Sequence, residues 1–363
     1  MEKKEQEQTV KGKEMEQPHK RRVRYKGTHP RTFSEKYKEH NPEKYADTIE
    51  KVIRKGSTPA GMHISICVKE ILDFLQIKPG QTGIDATLGY GGHTRKMLEQ
   101  LQGQGHIYGL DVDPIESVKT KERLEKAGFG EEMVTIKQIN FANIDEVAKE
   151  AGPVNFILAD LGVSSMQIDN PERGFSYKIH GPLDLRLDPH KGVTAAQRLK
   201  EISKEEFEGM LVENSDEPYA REIARAVFQS MKKGKYMETT TDLREIIEGT
   251  LGKMDLEDPR QQIKKSCQRT FQALRIDVNS EFEVLEAFLE KLPDVLAPGG
   301  RVAILTFHSG EDRMVKKMFK TQKKMGLYQE VSKDVIRPSK EECARNPRAK
   351  STKMRWAIRA EED

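Results

Sequence analysis

Ile84-Asp85-Ala86-Thr87-Leu88-Gly89-Tyr90-Gly91-Gly92-His93-Thr94 decides how the rest of the chain is read. It is the end of a strand, a glycine-rich turn and the start of a helix. Gly89, Gly91 and Gly92 lack the Cβ atoms that would keep a ligand from the backbone, and they permit positive φ. The helix that follows, over about 94–101, points its N-terminal N–H groups and its dipole into the turn. A small molecule with a polar or anionic group fits there, but such a turn by itself is also a common structural feature.

Downstream of this stretch, strands and helices alternate. A strand at 107–110 ends in Asp111-Val112-Asp113-Pro114 and leads into a helix over 115–127. A third strand is expected at 133–138, a helix at 143–150 and a fourth strand at 154–159, ending in Asp160-Leu161-Gly162. Upstream, Val68, Ile71, Leu72 and Leu75 have helical spacing, and Lys78-Pro79-Gly80 stops that helix. This order predicts a doubly wound parallel α/β sheet with right-handed crossovers. Ligands of such sheets bind beyond the carboxyl ends of the strands, where Asp85, Asp111, Phe141 and Asp160 fall.

The alternation stops after residue 164. Ser203 with Glu206 reads as a capping box, and Ile202 with Phe207 as a hydrophobic staple. Ala220, Ile223, Ala224 and Val227 form the stripe of a packed helix, and Thr241 or Asp242 opens another through Thr250. Residues 252–268 read as an exposed charged connection. The α/β pattern returns with a helix carrying Phe282, Leu285, Leu289 and Leu292, a turn at 297–300 and a strand at 302–306 that ends in Phe307-His308-Ser309. A helix over 312–320 and an antiparallel pair near 327–331 and 353–359 complete the sheet. The expected domains are an arm at 1–60, a first α/β part at 61–164, a helical insertion at 165–270 and a second α/β part at 271–363.

The arm is polar and proline-punctuated, so it cannot bury enough apolar surface to offset its ordering entropy and is expected to be disordered alone. It carries 16 Lys/Arg against 10 Asp/Glu, a balance of +6 in a chain whose net charge is only +3. Lys20, Arg21, Arg22, Arg24, Lys26 and Arg31, with Tyr25 and Phe33 among them, suit phosphates and stacked bases as well as a plain solvated tail. Three scattered cysteines make neither a disulfide framework nor a metal-ligand spacing. There is no apolar run of membrane-spanning length and no signal-like N-terminus, so a cytoplasmic protein is expected.

Two cofactors match a glycine turn followed by an acid at the next strand tip. A nicotinamide dinucleotide calls for a third glycine, but position 94 is Thr. S-adenosylmethionine has the same ribose diol for Asp111 and an adenine for Phe141, and its amino-acid tail tolerates an acid such as Asp85. The closing strand pair also suits the Rossmann-like class I methyltransferase variant of the sheet, which favours S-adenosylmethionine. Each acid also has a structural reading: Asp111 as a helix cap, Asp160 as a turn former.

Seven motifs then appear in order: DATLGYGGHT at 85–94, DLGVSS at 160–165, ERGFS at 172–176, GPLDLR at 181–186, RTFQALR at 269–275, FHS at 307–309 and RNPRA at 345–349. With them the chain resembles, over about 61–359, the MraW-type (RsmH) bacterial ribosomal RNA methyltransferases, which methylate the N4 amino group of a cytidine in the decoding region of 16S rRNA. The resemblance implies S-adenosylmethionine contacts at Gly91, Gly92, His93, Asp111, Phe141, Asp160 and Gln167, and the small ribosomal subunit as partner. Met166 stands where the family usually has Pro, Ser266-Cys267-Gln268 replaces a His-Pro-rich segment, and Gly310 replaces Leu. The acceptor side therefore also admits a second-copy enzyme with another RNA target, or a non-catalytic assembly factor that kept the fold.

Methylation of an exocyclic amine needs acceptors that hold the amino group and take up developing positive charge. Asp160 is the expected catalytic acceptor, and His308 a candidate to orient the base or accept a proton, or else a packing histidine. Arg173, Arg186, Arg269 and Arg275 are the expected RNA contacts. Carbon-5 chemistry would need a cysteine at a strand tip, where the sequence has none, and no metal is expected. The sequence leaves homodimerisation open.

Overall fold

The structure is a computed structural model that describes residues 65–361, all within the unit Met62–Asp363. The basic arm expected at 1–60 and the start of the first α/β part at 61 lie outside the described residues. The central strand is β1 (Thr82–Asp85), flanked by β2 (His106–Leu110) and β4 (Val154–Asp160). With β3 (Val134–Lys137), β5 (Leu296–Thr306), β6 (Tyr328–Val331) and β7 (Lys353–Arg359), the sheet order is β3-β2-β1-β4-β5-β7-β6. Only β7 runs against its neighbours. The expected class I methyltransferase sheet, with its closing antiparallel pair, is the one observed.

The strands are apolar on both sides because helices cover both faces. Phe156, Leu158, Ala303 and Leu305 pack on α1 (Val68–Leu75) and α2 (Gly92–Leu101), together with Leu124 of α3 (Pro114–Lys126). Ile157, Ala159, Val302 and Ile304 pack on α4 (Ile144–Ala151) and on two later helices. Between β4 and β5 lie α5 (Ser165–Asp169), α6 (Ala195–Glu201), α7 (Lys204–Ser215), α8 (Ala220–Lys232), α9 (Thr240–Leu251) and α10 (Pro259–Asn279). These helices bury a separate apolar cluster that includes Leu199, Phe207, Ile223, Leu243 and Leu274. α11 (Glu281–Val295), α12 (Ser309–Lys324) and α13 (Lys340–Arg345) return to the sheet. Among the described residues no helix is long and apolar enough to cross a membrane.

Three local expectations change. Residues 259–268 are not an exposed connection but the first half of α10. Asp258 caps the helix at Gln261 N–H and Pro259 occupies its first turn, while Ser266 and Cys267 face inward. The buried face looked polar because Ser266 meets a buried carboxylate, Glu217, at 2.8 Å rather than an aliphatic partner. This helix also runs straight through the boundary drawn at 270. The next helix starts earlier than expected, because Thr239 rather than Thr241 or Asp242 is the cap, and it forms a capping box with Asp242. Residues 297–300 are not a free turn but a bulge inside β5, since Leu296 already pairs with Val154 before the register shifts to Phe156 and Arg301.

The loop after α5 folds tightly on itself. A Cβ on Gly174 would lie 2.2 Å from the carbonyl oxygen of Pro182, and one on Gly181 would lie 2.0 Å from that of Pro171. The ERGFS and GPLDLR motifs therefore need their glycines for reciprocal backbone contact. Gly181→Ala is expected to lower unfolding stability by about 1–3 kcal/mol, as overpacking of a rigid backbone contact does. Urea denaturation checks this, and an unchanged midpoint would show that the loop simply opens.

Candidate active site

The glycine turn is held from both sides. Ala86 N–H donates to Leu158 O and Leu88 N–H to Leu110 O, so the chain leaves β1 still tied to β4 and β2. Gly91 has φ 79°, and a Cβ there would also meet Thr120 Cγ2 at 2.6 Å. Thr120 Oγ1 donates to Gly89 O, and Arg123 of α3 donates to Tyr90 O while lying 3.8 Å over the Tyr90 ring. Asp85 is buried and accepts from Thr94 Oγ1 at 2.6 Å and Thr87 N–H at 3.2 Å. Asp85 thus locks the turn to its helix rather than reaching outward.

Asp111, at the tip of β2, accepts Gly89 N–H on Oδ2 and Asp113 N–H on Oδ1, both at 2.8 Å. Pinned this way, its carboxylate keeps lone pairs for a ligand. Burial pushes its pKa up to about 7, against the pull of the two N–H donors. Phe141 follows β3 in a short 3-10 turn and meets Phe288 edge-on, with ring centroids 5.0 Å apart. Asp160, at the tip of β4, receives no hydrogen bond on Oδ1 although that atom is buried. Its Oδ2 lies 3.6 Å from Nδ1 of His93, and burial raises its pKa to about 6. Gly91, Gly92, His93, Asp111, Phe141 and Asp160 therefore share one rim at the carboxyl ends of β1 to β4.

Gln167 is placed differently. Its amide is taken up by Ser164 N–H and by Asp113 Oδ2 at 2.9 Å, so it joins the rim to the insertion. The helix cap expected of Asp111 in its structural reading is supplied instead by Asp113. It caps α3 at Ile115 and Glu116, and its second oxygen binds both Gln167 and Arg173, the latter at 2.7 Å. Burial alone would raise the Asp113 pKa, but the Arg173 guanidinium holds it below the ordinary value. The Asp-Pro step signals the cap; nothing local signals a partner 60 residues away.

Three of the four arginines expected at RNA are engaged internally. Arg173 is buried on Asp113 and donates to the carbonyls of Arg186 and Leu187. Arg186 is chelated by Asp184, and Arg275 makes a bidentate pair with Glu281 at 2.8 and 2.9 Å. Arg269 is half-exposed on α10. His308 caps α12, and both its ring nitrogens face Glu311: Nδ1 accepts the backbone N–H at 3.5 Å and Nε2 lies 3.2 Å from Oε1. Nδ1 is thus used in the cap, while Nε2 is buried without a hydrogen bond.

Of the three departures from the expected motifs, two lie in the insertion and one in α12. Met166 is buried in the first turn of α5, where Pro is equally tolerated. Phe282 fills the space above Gly310, since a Cβ there would lie 2.7 Å from its ring. Ser266 donates to Oε1 of the buried Glu217.

Residues 60–360 match the family model described as the MraW methylase family. The chain belongs to this family. It is 71% identical to Ribosomal RNA small subunit methyltransferase H 1 of Lachnoclostridium phytofermentans, over 94% of this chain and 93% of that protein. It is 63% identical to Ribosomal RNA small subunit methyltransferase H 2 of Alkaliphilus metalliredigens, over 95% and 99%, and 36% identical to Ribosomal RNA small subunit methyltransferase H of Koribacter versatilis, over 82% and 94%. Within this methylase, Cys67 lies before α1 and not at a strand tip. It follows Ile66, whose carbonyl holds His93, but burial and the nearby Glu342 raise its pKa, so it stays a thiol.

Asp111 and Asp160 make stability pH-dependent. Their folded pKa values, about 7 and about 6, exceed the ordinary 3.8, so the folded state binds more protons than the unfolded chain between those limits. Their contribution is present in full at low pH and is lost as pH rises through 6 to 7. Chemical denaturation of the ligand-free protein is expected to show a downward component on the order of 1 kcal/mol per pH unit between pH 5 and 7. Asp111→Asn should reduce that slope, and an identical slope in the variant would remove Asp111 from the account.

Proposed function

We infer that this methylase transfers a methyl group from S-adenosylmethionine to RNA of the small ribosomal subunit, and that the acceptor is the N4 amino group of a cytidine in the decoding region of 16S rRNA. The observation that carries the reading is Asp160: a buried carboxylate oxygen without a donor, at the β4 tip beside the glycine turn. An amine with two N–H groups is the donor such an atom lacks.

The residues fit the cofactor. Asp111 has free acceptor capacity for a ribose diol, Phe141 offers a half-buried ring for an adenine, and the backbone of Gly91, Gly92 and His93 opens the helix N-terminus to the amino-acid end. When bound, S-adenosylmethionine supplies an electrophilic methyl group on a positively charged sulfur. Asp160 then holds the incoming amino group in line and stabilises the positive charge that grows on it. Gln167 and Arg173, both on Asp113, fix the rim against the insertion, whose helices form the RNA-facing domain. There Arg269 is the favoured cation for phosphate among the four expected arginines.

A second reading, a paralogue with a different RNA target, is favoured by one group of observations. The relatives at 71%, 68% and 63% identity carry numbered names, and the chain departs from the expected motifs at Met166, Ser266 and Gly310.

Tritiated methyl transfer to small-subunit particles, followed by nucleoside mapping, separates these readings. Label in N4-methylcytidine supports the first and label in another nucleoside the second; bound donor without transfer favours a non-catalytic factor. Asp160→Asn is expected to lower transfer by about 10²-fold or more with donor affinity nearly unchanged. Because a diol donates to the ionised form of Asp111, donor affinity should tighten as pH rises from 6 to 8. Calorimetric titration checks this, and a flat profile would remove Asp111 from the ribose site.

A further inference from the structure

His93 lies in the first turn of α2 with its ring buried. Its Nε2 is 2.9 Å from the carbonyl oxygen of Ile66. A carbonyl only accepts, so Nε2 carries the hydrogen, and in the neutral ring Nδ1 is a bare lone pair. That lone pair faces Asp160 Oδ2 at 3.6 Å. Two lone pairs facing each other in a buried site repel, and one proton between them turns the contact into a hydrogen bond.

The surroundings favour that proton. Burial raises the proton affinity of Asp160 most, and a charged His93 would oppose it. Asp85 at the β1 tip and Glu311 in the first turn of α12 add to it, so the pair holds its proton with the imidazole neutral. Cys67, before α1, remains a neutral thiol. Glu311 is partly balanced by His308 and Arg275, and Asp85 by the Thr94 hydroxyl, His93 and the Thr87 N–H. On the other side of the same carboxylate, Oδ1 is buried and receives no hydrogen bond. One oxygen is therefore open towards the rim while the other is backed by an imidazole whose tautomer is fixed by the backbone.

We propose that His93 and Asp160 form a single proton-holding pair, in which Asp160 takes the proton that the acceptor nitrogen releases on methylation and His93 is the positioning residue that accepts the resulting carboxyl O–H. The inference rests on the methyl-transfer reading above. The nitrogen lone pair forms the new bond to the methyl carbon, and the carbon–sulfur electron pair stays on sulfur, which becomes neutral. The nitrogen then gives one proton to Oδ1 and keeps the N–H electron pair. Rotation of the carboxyl about its Cβ–Cγ bond turns the O–H towards Nδ1. The pair begins with one negative charge and ends neutral, so the positive charge brought by the donor is cancelled with no other co-reactant.

A merely structural His93 would only anchor Ile66. His93→Gln keeps an amide for the Ile66 carbonyl but places nothing at Nδ1, and His93→Asn does the reverse. Loss of the Nδ1 acceptor makes the protonated pair less stable, so its apparent pKa falls. In single-turnover transfer to small-subunit particles at saturating donor, with donor affinity measured in parallel, the acid limb of the pH–rate profile should move to lower pH by about half a unit or more in His93→Gln, with a lower plateau. The plateau should be partly restored in His93→Asn. Independently of turnover, ¹⁵N shifts of labelled histidine in the ligand-free protein should show the Nε2–H tautomer, with an Nδ1 shift that changes in Asp160→Asn. An acid limb that does not move, or an Nδ1 shift identical in wild type and Asp160→Asn, overturns the pair. Absence of transfer by the wild-type protein would instead sink the methyl-transfer reading, with the nitrogen shifts still reporting whether the pair exists.

Discussion

The buried ion pair between Asp113 and Arg173 is the contact on which the geometry of the rim depends. Asp113 is fully buried, and its four donors come from α3, from Gln167 and from Arg173. Arg173 completes its own shell with two carbonyls of the loop at 186 and 187. A buried charge pair is tolerable only when its hydrogen bonds are satisfied in this way, and removal of one partner strands the other. The pair stabilises an arrangement more than it stabilises the fold as a whole. It ties the β2–α3 junction, which carries Asp111, to the first loop of the helical insertion.

The same economy of groups shapes the glycine turn. Asp85, Thr87 and Thr94 satisfy one another and the backbone of β4, since Thr87 Oγ1 accepts the Asp160 N–H at 2.6 Å. One acid of the rim is therefore consumed in holding the turn, and another, Asp160, is left incompletely bonded by the same set of contacts. An unsatisfied buried oxygen at a strand tip, beside a turn whose own acid is satisfied, marks a place for a ligand.

Much of the fold could be read from the chain. The apolar runs of β4 and β5, the helix that follows Asp113-Pro114 and the Ser203–Glu206 capping box are local patterns, and local patterns survive folding. The half of α10 at 259–268 was not legible, because its inward face is made of Ser266, Cys267 and Thr270, whose burial is decided by Glu217 on another segment and by neighbouring helices. The start of α9 was missed by two or three residues because three threonines in a row, Thr239 to Thr241, offer equal caps until the chain direction is known.

The candidate site divides along the same line. By itself the sequence determined the order of strand tips, and hence that Gly91, Asp111, Phe141 and Asp160 meet, because a doubly wound parallel sheet gathers its carboxyl ends on one edge. It also determined the family, through motifs long enough to be specific. Only the tertiary structure decided what each charged side chain faces. It turned Arg173, Arg186 and Arg275 inward to carboxylates, set His308 on Glu311, and placed His93 between a backbone carbonyl and Asp160. Charge pairing depends on distances across segments tens to hundreds of residues apart, and no local pattern in the chain encodes those distances.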